Sequence, residues 1–377
     1  MDFTTTEASD DLGGLVRTIT ESVCTNEHQR ELDSADTRFD RDLWAKLIDA
    51  DVLSAAAPEA LGGGDYGVLE QVAVLEALGR QLAAVPYLES AVLAAGALAK
   101  FGSAELQQDW AAPAVAGSKV LTVALAGDMG DGPVQAQASE AGGSGYRLTG
   151  TRAQVAYGPV ADAFLVPADT GSGTSVFLVS AADAGVTVTP QRSLDMVKLY
   201  ARVQFDGVEI GSDAVVGSAE QTPAIVERQR QVALILQCAE LVGILDTVLG
   251  FTTQWLTDRH SFGRPLSSYQ ALKHRFANDK MWFEAARATT ASAVAAVADR
   301  SPDAPKLVSI AKAYVAERTP VILQDCVQLH GGIGVTWEHD LHLFLRRTAL
   351  YRAMFGAPED HYRIVYALSR KQEDVHA

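Results

Sequence analysis

The chain has 377 residues, 48% hydrophobic and 21% charged, with a formal net charge of -16. Its length exceeds one typical core and points to two or three packed units. The composition excludes a disordered chain. The acidic balance argues against nucleic acid as a partner and requires local basic groups wherever a phosphate-bearing ligand binds.

Along the chain, residues 10 to about 106 carry helical spacing, with Leu43, Trp44, Leu47 and Ile48 on one face. Pro58-Glu-Ala-Leu-Gly-Gly-Gly64 breaks that pattern, and helices resume over 69–78 and 90–101. From about 119 to 216 short apolar runs alternate with turns. The runs 121–125, 146–149, 163–166, 175–179, 186–189 and 201–205 read as strands of a small β-barrel or sandwich. From Thr222 onward four helical stretches follow, 224–260, 267–298, 305–330 and 340–355, punctuated by Pro265 and the Gly331–Gly334 cluster. The fold expected is α+β: an N-terminal helical domain over 1–117, a middle β domain over 118–217 and a C-terminal four-helix bundle over 218–377. The richest apolar run, 232–251, is broken by Gln237, Glu240 and Asp246, so no membrane association is expected. Met1-Asp-Phe-Thr-Thr-Thr-Glu has no basic stretch followed by an apolar one, so no secretory signal is expected. Cys24, Cys238 and Cys326 lack metal-ligand spacing. They read as reduced thiols of a cytoplasmic protein with no metal site.

Two segments carry the chemistry. In Arg259-His-Ser-Phe-Gly-Arg-Pro265 a guanidinium stands at a helix end, where it can fork two oxygens of a diphosphate or pair with Asp258. Phe262 and Pro265 stiffen the turn, and Gln270 restarts a helix. In Gln328-Leu-His-Gly-Gly-Ile-Gly334 the glycines let backbone N–H groups approach an anion, and Gln328 offers an amide. Glu338 reads as a helix-dipole residue rather than a catalytic acid.

Together these motifs resemble the C-terminal signatures of the acyl-CoA dehydrogenases, and Pro58-Glu-Ala-Leu-Gly-Gly63 and Leu78-Gly-Arg80 resemble that family's N-terminal ones. The resemblance covers nearly the whole chain and implies that family's fold. It also implies FAD, whose ADP half would meet Arg259, Phe262, Gln270, Gln328, Gly331 and Gly332. The chain departs from the family in the other half of the site. The family's base glutamate falls on Gly356 (or Phe355) in one register and on Ala233 in the second, and none of these can accept a proton. The family's Thr-Glu-Pro strand and Gly-Ser-Asp loop have no counterpart after 121–130. Its Trp-Ile-Thr/Ser aligns with Gln154-Val-Ala156.

The resemblance therefore implies the non-catalytic subunit of a heteromeric enzyme, as in actinobacterial steroid side-chain dehydrogenases. A paralogous catalytic subunit would complete an α2β2 assembly, an acyl-CoA would be the substrate and an electron-transfer flavoprotein the acceptor. Two alternatives stay open: a self-sufficient dehydrogenase with a displaced base, Glu240 or Glu227, and a flavin-free assembly paralogue.

Overall fold

The computed structural model describes residues 5–35, 37–125, 132–138 and 145–376. Helices α1 (Glu7–Val23), α2 (Asn26–Ser34), α3 (Arg41–Asp49) and α4 (Val68–Arg80) come first. The caps are local chemistry: Thr6, Thr25 and Asp40 accept hydrogen bonds from backbone N–H groups three residues on. A wide-turned helical segment, Tyr87–Ala95, runs into α5 (Gly96–Phe101), followed by the short α6 (Ala104–Leu106) and α7 (Ala112–Val115).

The strands are β1 (Leu121–Val123), β2 (Val134–Ala138), β3 (Tyr146–Ala156), β4 (Ala163–Asp169), β5 (Thr174–Ser180), β6 (Val186–Gln191), β7 (Tyr200–Ile210) and β8 (Val215–Val216). They form one mixed sheet in the order β6-β7-β3-β2-β4-β5-β8, with β1 pairing β4 in parallel. Strands β4 and β5 read as unbroken apolar runs because both faces are buried. Phe164, Val166, Phe177 and Val179 enter the sheet's own core, while Ala163, Leu165, Val176 and Leu178 join the core shared with the helices. The short β2 and β8 were not among the strands expected from sequence.

The C-terminal unit contains α8 (Thr222–Asp258), a small hairpin of β9 (His260–Ser261) and β10 (Arg264–Pro265), then α9 (Gln270–Ala298), α10 (Ala304–His330), α11 (Leu341–Ala353) and α12 (Pro358–His376). The C-terminal helical domain is as expected, and a further helix, α12, follows the last of the four stretches read from sequence and packs on α10. Its apolar positions Ile364, Val365 and Leu368 are only half-buried, which kept the signal weak.

Helix α8 is long and apolar enough to cross a membrane, yet 89% of its most apolar window is buried inside the fold. It crosses α4 at backbone contact. A Cβ on Gly243 would strike the carbonyl of Glu76, and one on Gly79 the carbonyl of Glu240. The ion pair Arg80–Asp246 closes the same crossing.

Candidate functional site

The second signature begins where α10 ends. Gly331 takes φ +66°, and its N–H bonds back to the carbonyl of Gln328. Gly334 must be glycine because a Cβ there would lie 2.5 Å from the carbonyl of Val327. The first signature begins where α8 ends. Arg259 N–H bonds to the Trp255 carbonyl at 2.9 Å, and Leu266 N–H bonds to the Arg259 carbonyl at 2.8 Å. Between them Phe262 and Gly263 both have positive φ, as a tight two-residue hairpin turn requires. The Tyr269 hydroxyl donates to the Ser261 carbonyl at 2.7 Å and ties the hairpin to the start of α9.

These two chain ends meet. Arg259, Gln328, Gly331 and Gly332 line one open cleft of ≈ 560 Å³, together with Trp255, His260, His330 and Ile333. Asp258 does not pair with Arg259; it accepts from the Gln254 amide at 2.7 Å instead. The guanidinium thus faces the cleft without a carboxylate competitor among the described residues. Space around Gly331 and Gly332 is open. A cation, an amide and exposed backbone at one cleft suit a diphosphate. The two other expected contacts, Gln270 and Phe262, stand outside the lining. Gln270 is the exposed first residue of α9. Phe262 is 98% exposed at the hairpin tip, its positive φ set by the two-residue turn.

Sequence reasoning missed Trp255 and His330. The spacing of Trp255, four residues before Arg259, was the available signal. His330 Nδ1 lies 2.7 Å from the Cys326 carbonyl, and burial pushes its imidazole below the ordinary histidine range. Among the described residues no group of three or more metal-ligating side chains forms. Burial pushes all three thiols up to about 12.

The other half of the expected site is narrow among the described residues. Gln154, Val155, Ala156, Val123, Leu125 and Phe355 surround a cavity of only ≈ 40 Å³. That volume takes a water or two, whereas cofactor and ligand sites run to about 300–1,000 Å³. Phe355, at φ +57°, lines the cavity, while Gly356 does not. Ala233 is buried in α8 with no exposure. Residues 126–130, which follow β1 and bear on the missing family loop, lie outside the described residues.

Behind this cavity runs a buried ionic chain. Glu89 pairs with Lys198 at 2.6 Å, and Lys198 Nζ donates to the Tyr351 hydroxyl at 3.0 Å. Tyr351 donates to Glu240 at 2.6 Å, and Arg347 bridges Glu240 and Asp195. Lys312 donates to the Tyr351 carbonyl. Three carboxylates pair with two cations, Lys198 and Arg347, all at most 7% exposed as side chains, and Lys312 beside them is fully buried. Burial alone would depress Arg347 and Lys198; Asp195, Glu240 and Glu89 overturn that and raise both. Glu240, one of the two displaced-base candidates, is thus held as a counter-ion of Arg347. Glu227 bonds Arg230 and Gln231 at 3.2 and 2.8 Å.

The fold is three-part, with helical units before and after a β unit in chain order and packed on each other through α4 and α8. The acyl-CoA dehydrogenase N-terminal domain matches residues 6–118, and the acyl-CoA dehydrogenase C-terminal domain matches 228–368. The chain belongs to the acyl-CoA dehydrogenase family. It is 49% identical over 351 residues to acyl-CoA dehydrogenase FadE27 of Mycobacterium tuberculosis, covering 91% of this chain and 92% of that protein. Among solved structures it resembles a chain of the ChsE4-ChsE5 complex from Mycobacterium tuberculosis, with TM-score 0.90, 46% identity and coverage of 97% and 98%. It also resembles a Tcur3481-Tcur3483 steroid ACAD variant, with TM-score 0.89, 29% identity and coverage of 98% and 100%.

Proposed function

We propose that this chain is the non-catalytic subunit of a heteromeric, FAD-dependent acyl-CoA dehydrogenase. Arg259 and Gln328 hold the diphosphate of a flavin whose ring, base and acyl pocket belong to a paralogous partner, in an α2β2 assembly. The observation that carries this reading is the contrast between an open cationic cleft of ≈ 560 Å³ and a narrow ring-side cavity of ≈ 40 Å³ lined by Phe355. Bound FAD would supply hydride acceptance, and this chain's residues bind and orient its ADP end. Phe262 and Gln270, exposed beside the cleft, contact the same tail or the partner around it. Heteromeric and steroid-acting relatives favour a bulky steroid side-chain thioester as the substrate of the complex. An electron-transfer flavoprotein is the acceptor, and the assembly is cytoplasmic.

The test is co-expression with the paralogue against purification alone. The complex should carry one FAD per unlike pair, and Arg259→Ala should cut its FAD content at least tenfold. A lone chain with stoichiometric FAD that oxidises an acyl-CoA sinks the proposal. Unchanged FAD content in Arg259→Ala favours the flavin-free alternative.

A further inference from the structure

A long, exposed arginine at a helix end loses much rotamer freedom when it clamps a ligand, so a site gains if something holds it in place beforehand. The geometry points to Trp255 as the positioning residue of Arg259, with His330 bracing the indole; this rests on the flavin-tail reading of the cleft.

Trp255 lies one helical turn before Arg259, so the two side chains leave α8 on one face. The guanidinium carbon stands 5.7 Å from the indole centroid, within the reach of a cation–π contact. No ion pair of Arg259 competes with that contact among the described residues. The same indole stacks on His330, with centroids 5.4 Å apart and planes inclined by 19°. His330 is itself fixed. Its Nδ1 sits 2.7 Å from the Cys326 carbonyl, and His339 packs edge-on at 4.6 Å. Phe251 closes the cluster with edge contacts to both imidazoles at 5.6 and 5.4 Å. Burial pushes the His330 imidazole below the ordinary range, which favours the uncharged ring beside Arg259. Trp255 and His330 come from the ends of α8 and α10, the helices that carry Arg259 and Gln328. The stack therefore also sets the spacing of the two ligand-facing side chains across the cleft.

The experiment measures FAD release from the co-purified complex, by recovery of free-flavin fluorescence after dilution. The proteins, each loaded with FAD beforehand, are wild type, W255F, W255Y, W255L, R259A and the double variant W255L/R259A. Trp gives the strongest cation–π contact and Leu none. Release should be slowest in wild type, intermediate in W255Y and W255F, and about two- to fivefold faster in W255L. If W255L does not fold, the order among wild type, Tyr and Phe carries the test. W255L/R259A should release FAD no faster than R259A alone, because without a cation at 259 the indole has nothing to hold. Equal release in wild type, W255Y and W255F, or effects of W255L and R259A that simply multiply, overturns the positioning role. If R259A itself leaves release unchanged, the flavin-tail reading has failed rather than the stack.

Discussion

Arg347 is 1% exposed and bridges two buried carboxylates, Asp195 and Glu240, that come from a loop of the β unit and from the middle of α8. Replacing it with methionine keeps the bulk and removes the charge. Both carboxylates then lose their guanidinium, and Tyr351 becomes the remaining donor to Glu240. Breaking a buried pair by removing one partner costs about 3–5 kcal/mol, a large part of a total stability on the order of 5–15 kcal/mol. With a urea m-value of about 3 kcal/mol/M, the unfolding midpoint of Arg347→Met should fall by about 1–1.7 M. Urea unfolding followed by circular dichroism is the assay. A midpoint shift under about 0.3 M would refute the view that this network holds the β unit to the helices.

Three further outcomes follow from the packing. Gly243→Ala should destabilise by about 1–3 kcal/mol because its Cβ meets the Glu76 carbonyl, whereas Gly250→Ala, on the same helix with open space, should stabilise by about 0.5–1 kcal/mol; thermal melts of the pair decide this. Asp279, buried on α9 near Asp325 and Cys326 of α10 and Arg275 of its own helix, has its carboxyl raised to about 7 by burial first and Asp325 second. Folding stability should therefore fall as pH climbs from about 4 through about 7, by roughly 1–2 kcal/mol after solvent screening, and Asp279→Asn should flatten that slope in urea titrations. Asp40→Ala removes the cap on Leu43 N–H, 2.9 Å away, and should cost about 1–2 kcal/mol in the same assay.

The three-part fold was legible because each region has its own period: helical spacing at Leu43 and Leu47, apolar runs at β4 and β5, helical spacing again from α8. The cleft was legible in part. Arg259 and Gln328 announce themselves because each stands at a helix end beside glycine or proline punctuation. Trp255 did not, since an aromatic on an apolar helix reads as core. The ionic chain was invisible for a different reason. Glu240 appeared only as an interruption of an apolar run, and Arg347 only as half of a basic pair. Their counter-ions lie more than a hundred residues away along the chain. Spacing within one element cannot disclose partners contributed by another. The strand β2 was missed because its inward residues, Val134 and Ala136, are small and its neighbours polar.

The narrow ring-side cavity also bears on how the chain can change. A carboxylate placed at Phe355 would put a charge into ≈ 40 Å³ beside Glu89, one of whose oxygens already lacks a partner. The buried Glu89–Lys198 pair, which ties the wide-turned helix to the loop before β7, thus acts as a ratchet against a second acid on that side of the fold.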